Sequence, residues 1–269
     1  MERLRVCITG SNGFIGRNLV QRLDSNPKIE VIPFAGDLLK KDDAVKFFVK
    51  NKDINQIIHL VGLFAGSFED LVRVNVVTLA NLLWAAPQNN IKKIILTSTG
   101  AVYGEPLAGE SKEDDQLRPN TYYGLSKKYA EEYLLYHHHN SGIEYVILRF
   151  PNVYGPENDK GVIHNFISDI KERGEVTING DGTQSRNFLH VSDACLAIEK
   201  SLHYDGSGIF NISNPVKVSI NDLIGILKKK YRFTVKCAPT NNNLRDLLLD
   251  VSKAKQMLGF EAEQKELSL

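Results

Sequence analysis

Five short apolar runs punctuate the first 150 positions, at residues 5–9, 30–34, 56–60, 94–97 and 145–149. Each run is continuous rather than alternating. That is the pattern of strands buried on both faces of a parallel sheet, since a half-exposed strand keeps every second position polar. Helix-spaced stretches lie between them. Residues 14–23 set Ile15, Leu19 and Leu23 on one face, and residues 71–86 and 126–139 also read as helices. Strands alternating with helices build βαβ units, which predicts an α/β protein with a doubly wound parallel sheet.

After Arg149 the rhythm changes. Residues 150–161 read as a loop with two prolines, and residues 174–182 carry three glycines. One more strand is expected at 209–212, with helices at 220–230 and 252–258. The expected organisation is a sheet domain over 1–150 with returns at about 186–212, and a smaller lobe from 151–185 and 213–269. His137, His138 and His139 are adjacent on a helix, so their side chains point in different directions and suit a solvated face. Asp193 is expected to cap a helix starting near Ser192. Trp84 is expected in the core or in a subunit contact, and Cys7 as a small buried hydrophobe.

Composition narrows the class. Lys and Arg number 33 against 32 Asp and Glu, a net charge of +1 over 269 residues. That excludes a broad surface for nucleic acid while leaving room for a local basic pocket. Three scattered cysteines, Cys7, Cys195 and Cys237, indicate neither a disulfide framework nor a metal site. No apolar run reaches the ~18 residues of a membrane span. The N-terminus runs from Met1-Glu2-Arg3 into a strand without a signal peptide's apolar stretch. The expectation is a cytoplasmic enzyme with no membrane partner.

The strongest local signal is Gly10-Ser11-Asn12-Gly13-Phe14-Ile15-Gly16, which follows the first strand and opens the first helix. Its spacing is G-x-x-G-x-x-G. In that context Gly10 permits the tight turn, Gly13 lets a pyrophosphate approach the helix N-terminus, and Gly16 lets helix and strand pack closely. An acidic residue for the ribose hydroxyls should close the second strand. Asp37 stands there, either as that acid or, with Leu38, facing the adenine. Arg17 beside the turn is either a 2′-phosphate ligand or an ordinary exposed arginine. The cofactor expected is NAD, and the residues leave NADP open.

Tyr123 and Lys127 form a Y-x-x-x-K pair on one helical face. An ammonium one turn away stabilises a phenolate and brings proton transfer near neutral pH; the same lysine can donate to a nicotinamide ribose. Upstream, Thr99 leaves the fourth strand at the end where open α/β sheets bind ligands. A hydroxyl, a tunable phenol and a cation together suit moving a proton on an alcohol while hydride passes to or from nicotinamide.

With these parts assembled, the chain resembles the extended short-chain dehydrogenase/reductases, the nucleotide-sugar epimerases, dehydratases and reductases. The likeness runs through residues 9–16, Asp37-Leu38, His59-Leu60, Asn75 with Thr78 and Leu82, residues 98–104, 123–127, 149–156 and 180–188, then Val191-Ser192-Asp193 and Phe210-Asn211. It implies that Thr99, Tyr123 and Lys127 are catalytic, that Gly10, Asn12, Gly13, Phe14, Ile15 and Gly16 hold the dinucleotide, and that Asp37 contacts adenine. Asn152 and Arg186 would address the substrate's sugar and phosphates. The helices over 71–86 and 126–139 resemble those that pair two subunits, which implies a homodimer.

Departures refine the expectation. Relatives that dehydrate at C4–C6 carry an Asp-Glu pair where this chain has Gly100 and Ala101, so dehydration is not expected. The short interval from the second strand to Asp37 resembles the 4-ketoreductases. A second phosphate-binding arginine is expected near the C-terminus, where Arg245 stands. NAD-dependent 4-epimerisation of a nucleotide hexose through a transient ketone is the leading expectation, because residues 149–156 and 180–188 resemble that subgroup most. The alternatives are an NAD(P)H-dependent 4-keto-6-deoxyhexose reductase and, from another class, a non-catalytic dinucleotide sensor on the same fold.

Overall fold

A computed structural model describes residues 3–86, 90–105, 109–239 and 246–267. Arg245 lies outside the described residues. The chain enters through β1 (Leu4–Thr9), turns into α1 (Phe14–Asp24), and continues with β2 (Ile29–Pro33), α2 (Lys41–Lys50) and β3 (Gln56–His59). Next, α3 (Phe68–Val72) passes through a π turn, Arg73–Val77, into α4 (Thr78–Ala85). Then follow β4 (Lys93–Thr99), α5 (Tyr122–Ser141) and β5 (Glu144–Phe150). Beyond the sheet come β6 (Asn152–Tyr154), α6 (Gly161–Arg173), β7 (Glu175–Asn179), β8 (Ser185–Arg186) and β9 (Phe188–His190). The chain returns with α7 (Val191–Leu202) and β10 (Gly208–Asn211), and leaves again through β11 (Val218–Ser219), α8 (Ile220–Lys228) and β12 (Thr234–Ala238).

The six strands of the central sheet lie in the order β10-β5-β4-β3-β1-β2, and every adjacent pair is parallel. The continuous apolar runs are explained by two cores. Ile8, Ile58, Ile95 and Leu148 face α1 and α7, in a cluster that also takes in Leu258, Phe260 and Ala262. Their neighbours Cys7, Ile57, Ile94 and Ile147 face α2, α4 and α5, beside Phe48, Leu82 and Leu134. Alternate side chains serve opposite faces, so apolar residues follow one another without a polar position between them over the middle of each strand. A separate core built on Phe166, Val176, Ile178 and Leu223 fills the small lobe. Among the described residues, no helix is long and apolar enough to cross a membrane.

Several elements differ from the sequence expectation. The stretch read as glycine-rich holds β7, which pairs in parallel with the distant β12. Within the expected loop over 150–161, β6 pairs with β9. Helices α2 and α6 start at Lys40 and Lys160 without a side-chain cap, so no start signal marked them. By contrast α5 begins four residues before its expected start, because the Thr121 hydroxyl accepts the Gly124 N–H at 3.0 Å. Asp193 is not the cap of α7. That role falls to His190, whose ring nitrogen accepts from the Ser192 N–H. The Asp193 carboxylate is buried and accepts the N–H groups of Glu263 and Gln264 at 3.0 and 3.2 Å.

Candidate active site

At the glycine turn, Gly10 adopts a left-handed conformation and its carbonyl accepts the Gly13 N–H at 3.0 Å. A Cβ on Gly16 would lie 2.1 Å from the Gly10 oxygen, so only glycine lets α1 fold back on the turn. Gly13 is the N-cap of α1 without a side-chain cap, and no acidic residue occupies the first turn. The positive end of this helix therefore has its first N–H groups open to an anion. This cradle fits a dinucleotide pyrophosphate.

Other predicted cofactor residues are distributed unevenly. Phe14 and Ile15 line the adjoining cleft. Asn12 is exposed at the crest, its carbonyl accepting Arg17 Nη1 at 3.0 Å, while Arg17 Nη2 lies 3.5 Å from Glu157 of the small lobe. Asp37 is exposed after β2, with Oδ1 accepting the Leu39 N–H and its own N–H donating to Asp43. Leu38 packs into the core, and its carbonyl accepts from Asn81. Neither Asp37 nor Leu38 lines the cleft.

The structure brings the predicted catalytic residues together. Thr99 ends β4, and the short turn Gly100–Val102 carries the chain under the start of α5. A Cβ on Gly124 would stand 2.5 Å from the Ala101 oxygen, so this glycine seats the first turn of α5 on that segment. Tyr123 is thereby held beside the Thr99 hydroxyl, which is hydrogen-bonded to the phenol. Burial raises the phenol's pKa, and the bond from Thr99 lowers it in part. One turn on, the Lys127 ammonium is buried. Loss of water brings its pKa down to about 8, against the opposing pull of Glu131. His59 faces Lys127 from β3, and burial with the lysine's charge brings its pKa down to about 3. Its Nδ1 meets the Thr9 hydroxyl at 2.9 Å, and its Nε2 has no protein partner.

Two cavities meet at this corner. One of about 330 Å³ reaches from Phe14, Ile15 and Leu60 to Thr99, Tyr123 and Lys127. The other, of about 360 Å³, shares Thr99, Tyr123 and Asn152 and extends to Arg186, Asn187, Leu247 and Leu249. Asn152 lies exposed on β6, and Arg186 is half-buried on β8. Burial lowers the Arg186 guanidinium's pKa, while Asp246 pulls the other way. Phe64 and Lys160 approach across the mouth, ammonium 5.2 Å from the ring centre.

Sequence reasoning missed the supports of this corner. Asn75, in the π turn, grips the loop after β3 by bonding both N–H and C=O of Leu63, at 2.7 and 2.8 Å, and reaches Ser126 of α5 at 2.8 Å. Glu131 and Arg149 form a fully buried ion pair at 2.7 Å. Helical spacing carried the signal for Glu131, since Tyr123, Lys127 and Glu131 follow at i, i+4 and i+8. Among the described residues, no group of His, Cys, Asp and Glu that could hold a metal ion is gathered.

Comparison with known proteins agrees with this geometry. The sequence profile of the NAD dependent epimerase/dehydratase family matches residues 6–213. The chain belongs to the NAD dependent epimerase/dehydratase family. Within it, a provisionally named UDP-glucose 4-epimerase of Methanocaldococcus jannaschii is 32% identical, over 96% of this chain and 93% of its own. UDP-glucuronic acid decarboxylase 6 of Arabidopsis thaliana is 30% identical over 98% and 86%. The crystal structure of UDP-glucuronic acid 4-epimerase from Bacillus cereus in complex with NAD is 28% identical, covers 96% of this chain and 94% of that one, and superposes with a TM-score of 0.83. The enzyme class and doubly wound fold expected from the sequence are those of this epimerase/dehydratase family.

Proposed function

We propose that this enzyme interconverts UDP-hexoses epimeric at C4, using NAD and a transient 4-ketone. The observation that carries the reading is the position of Thr99, Tyr123 and Lys127 where the cavity beside the glycine turn opens into the one that holds Asn152 and Arg186. Bound NAD would supply a hydride acceptor that returns the hydride it has taken. The protein supplies the rest. Tyr123 takes the proton from the C4 hydroxyl, Thr99 donates to the same oxygen, and the Lys127 charge stabilises the phenolate and holds the nicotinamide ribose. Gly10, Asn12, Gly13, Phe14, Ile15 and Gly16 would hold the dinucleotide, with Asp37 and Leu38 toward the adenine. Asn152 would orient the sugar and Arg186 the diphosphate.

In this reading residues 1–150, with the returns at about 186–212, bind the cofactor. The lobe from 151–185 and 213–269 binds the sugar nucleotide. A homodimer is supported by an exposed aromatic stripe: Tyr122, Tyr129 and Tyr136 recur every seven residues on α5, and Val77 at the end of the π turn and Trp84 of α4 are exposed as well. Such a stripe at heptad spacing is suited to helix–helix packing between subunits. Three cysteines that form no disulfide with one another and the use of NAD suit the cytoplasm.

The test is hydride bookkeeping. The purified enzyme is incubated with UDP-glucose, UDP-N-acetylglucosamine and UDP-glucuronic acid, and products are separated by chromatography. The expected result is a 4-epimer with no net change in NADH absorbance, and a Tyr123→Phe variant that retains NAD and loses roughly 10²–10⁴ in kcat. Stoichiometric NADH consumption with a 4-keto sugar nucleotide would establish a reductase instead, and carbon dioxide with a pentose product a decarboxylase.

A further inference from the structure

Below the catalytic pair, α5 presents Glu131 one turn beyond Lys127. Glu131 and Arg149 are both almost wholly removed from water. Arg149 Nη2 donates to Glu131 Oε2 at 2.7 Å, and its Nε to both carboxylate oxygens at 3.2 and 3.3 Å. The Ser98 hydroxyl donates to Oε1, and Ser98 precedes Thr99. The other edge of the guanidinium donates to the Tyr103 hydroxyl at 2.8 Å and the Glu113 carbonyl at 3.2 Å.

Stability does not account for such a pair. Well-packed apolar residues of the same volume usually serve a fold as well or better, because desolvating two charges costs about what their attraction returns. What an apolar pair cannot supply is a fixed negative charge one helical turn from Lys127. Charge alternates in the order Lys127, Glu131, Arg149, and the carboxylate lies one turn along α5 from the lysine, while the guanidinium comes from β5. The groups facing Lys127 from other elements do not substitute for it. His59 on β3 is neutral, Ser98 and Thr99 on β4 are uncharged hydroxyls, and Tyr103 and the Glu113 carbonyl face Arg149.

We propose that Glu131, fixed by Arg149 and Ser98, is a positioning residue that keeps the Lys127 ammonium charged beneath Tyr123. This rests on the reading of Lys127 as part of the proton-transfer machinery. It adds that the lysine depends on a counter-charge on its own helix that the sheet holds in place. Arg149 and Ser98 hold the Glu131 carboxylate in place, and Glu131 favours the charged form of Lys127.

The test follows Lys127 directly, by NMR of the intact protein labelled with [ε-¹³C]lysine, its signal assigned by absence from Lys127→Met. Wild type is expected to titrate at about 8. Glu131→Gln leaves the Arg149 charge unopposed and should lower the midpoint most, by at least about one pH unit. Glu131→Gln with Arg149→Met removes both charges, is expected to fold, and should fall between the two. That order is one a merely structural role would not produce. A double variant with an unmoved midpoint would overturn the proposal, as would a wild-type midpoint below 7, which needs no variant. Because the readout is a titration, failure to find epimerase activity would sink the proposed function and leave this result standing.

Discussion

Leu249 closes over Gly100: its Cδ2 lies 3.2 Å from where a Cβ on residue 100 would stand. The leucine is buried and its N–H is held by Asn187 at 2.8 Å, so the space beside Thr99 is filled by a hydrocarbon side chain rather than by an acid. A methyl at position 100 meets only the flexible end of Leu249, and Gly100→Ala should be nearly neutral. Gly100→Glu must bury a carboxylate against leucine. It is expected to cost about 2–4 kcal/mol and to lower Tm by several degrees in a thermal melt, without conferring dehydratase activity.

Gly124 is a sharper constraint. The Cβ of Gly124→Ala would meet the Ala101 backbone oxygen at 2.5 Å, and backbone cannot rotate aside as a side chain can. The first turn of α5 must lift, taking Tyr123 from Thr99. Steady-state kinetics should show a fall in kcat of about 10²-fold, the loss that a misplacement near 1 Å brings, with retained NAD binding in equilibrium dialysis.

His59 makes the fold sensitive to acid. Its pKa is about 3 in the native protein and about 6.5 when unfolded, so protons bind the unfolded chain more tightly. The stabilisation from its neutral burial is complete above pH 6.5. It is lost as pH falls through 6.5 toward 3, at about 1.4 kcal/mol per pH unit. Urea unfolding between pH 7 and 4 should show this slope, and His59→Asn should flatten it.

At the surface, Trp84 is 55% exposed with the Lys41 ammonium 3.3 Å from its ring centre, and Tyr136 is 68% exposed. Trp84→Asp with Tyr136→Asp would place charge on both helices of the proposed interface. Sedimentation equilibrium should then show a monomer with an unchanged circular dichroism spectrum. A wild type that is itself monomeric would remove the basis for the interface.

How much of this was legible in the sequence depends on the range of the interactions. The sheet strands are buried on both faces and show as apolar runs; the glycine turn and the Tyr123–Lys127 spacing are local patterns, and all could be read directly. The pairing of β7 with β12 joins residues 175–179 to 234–238, and no local pattern encodes a partner so distant. Helix α2 has two phenylalanines and two valines, residues that favour strands, and its helicity comes from burying Phe47 and Phe48 against the sheet. In the site, Thr99, Tyr123 and Lys127 were visible because their spacing is chemical. Arg149 and His59 were quoted only as matches to a family pattern. Their meaning lies in contacts across strands, and a buried arginine looks like any other until Glu131 is found opposite it.

The stitching of residues 254–264 onto the first-formed core has a consequence for how the protein comes into being. Leu258, Phe260 and Ala262 complete the apolar cluster that Val6 and Ile8 begin, and Asp193 and Asn214 tie Glu263 and Gln264 in place. A ribosome that has already delivered the glycine turn, Tyr123 and Arg186 is still holding this part of the core. Until it emerges, the part of that face left open by α1 and α7 stays exposed and adhesive. The first strand of the sheet therefore waits for residues 258–262 before its packing is complete.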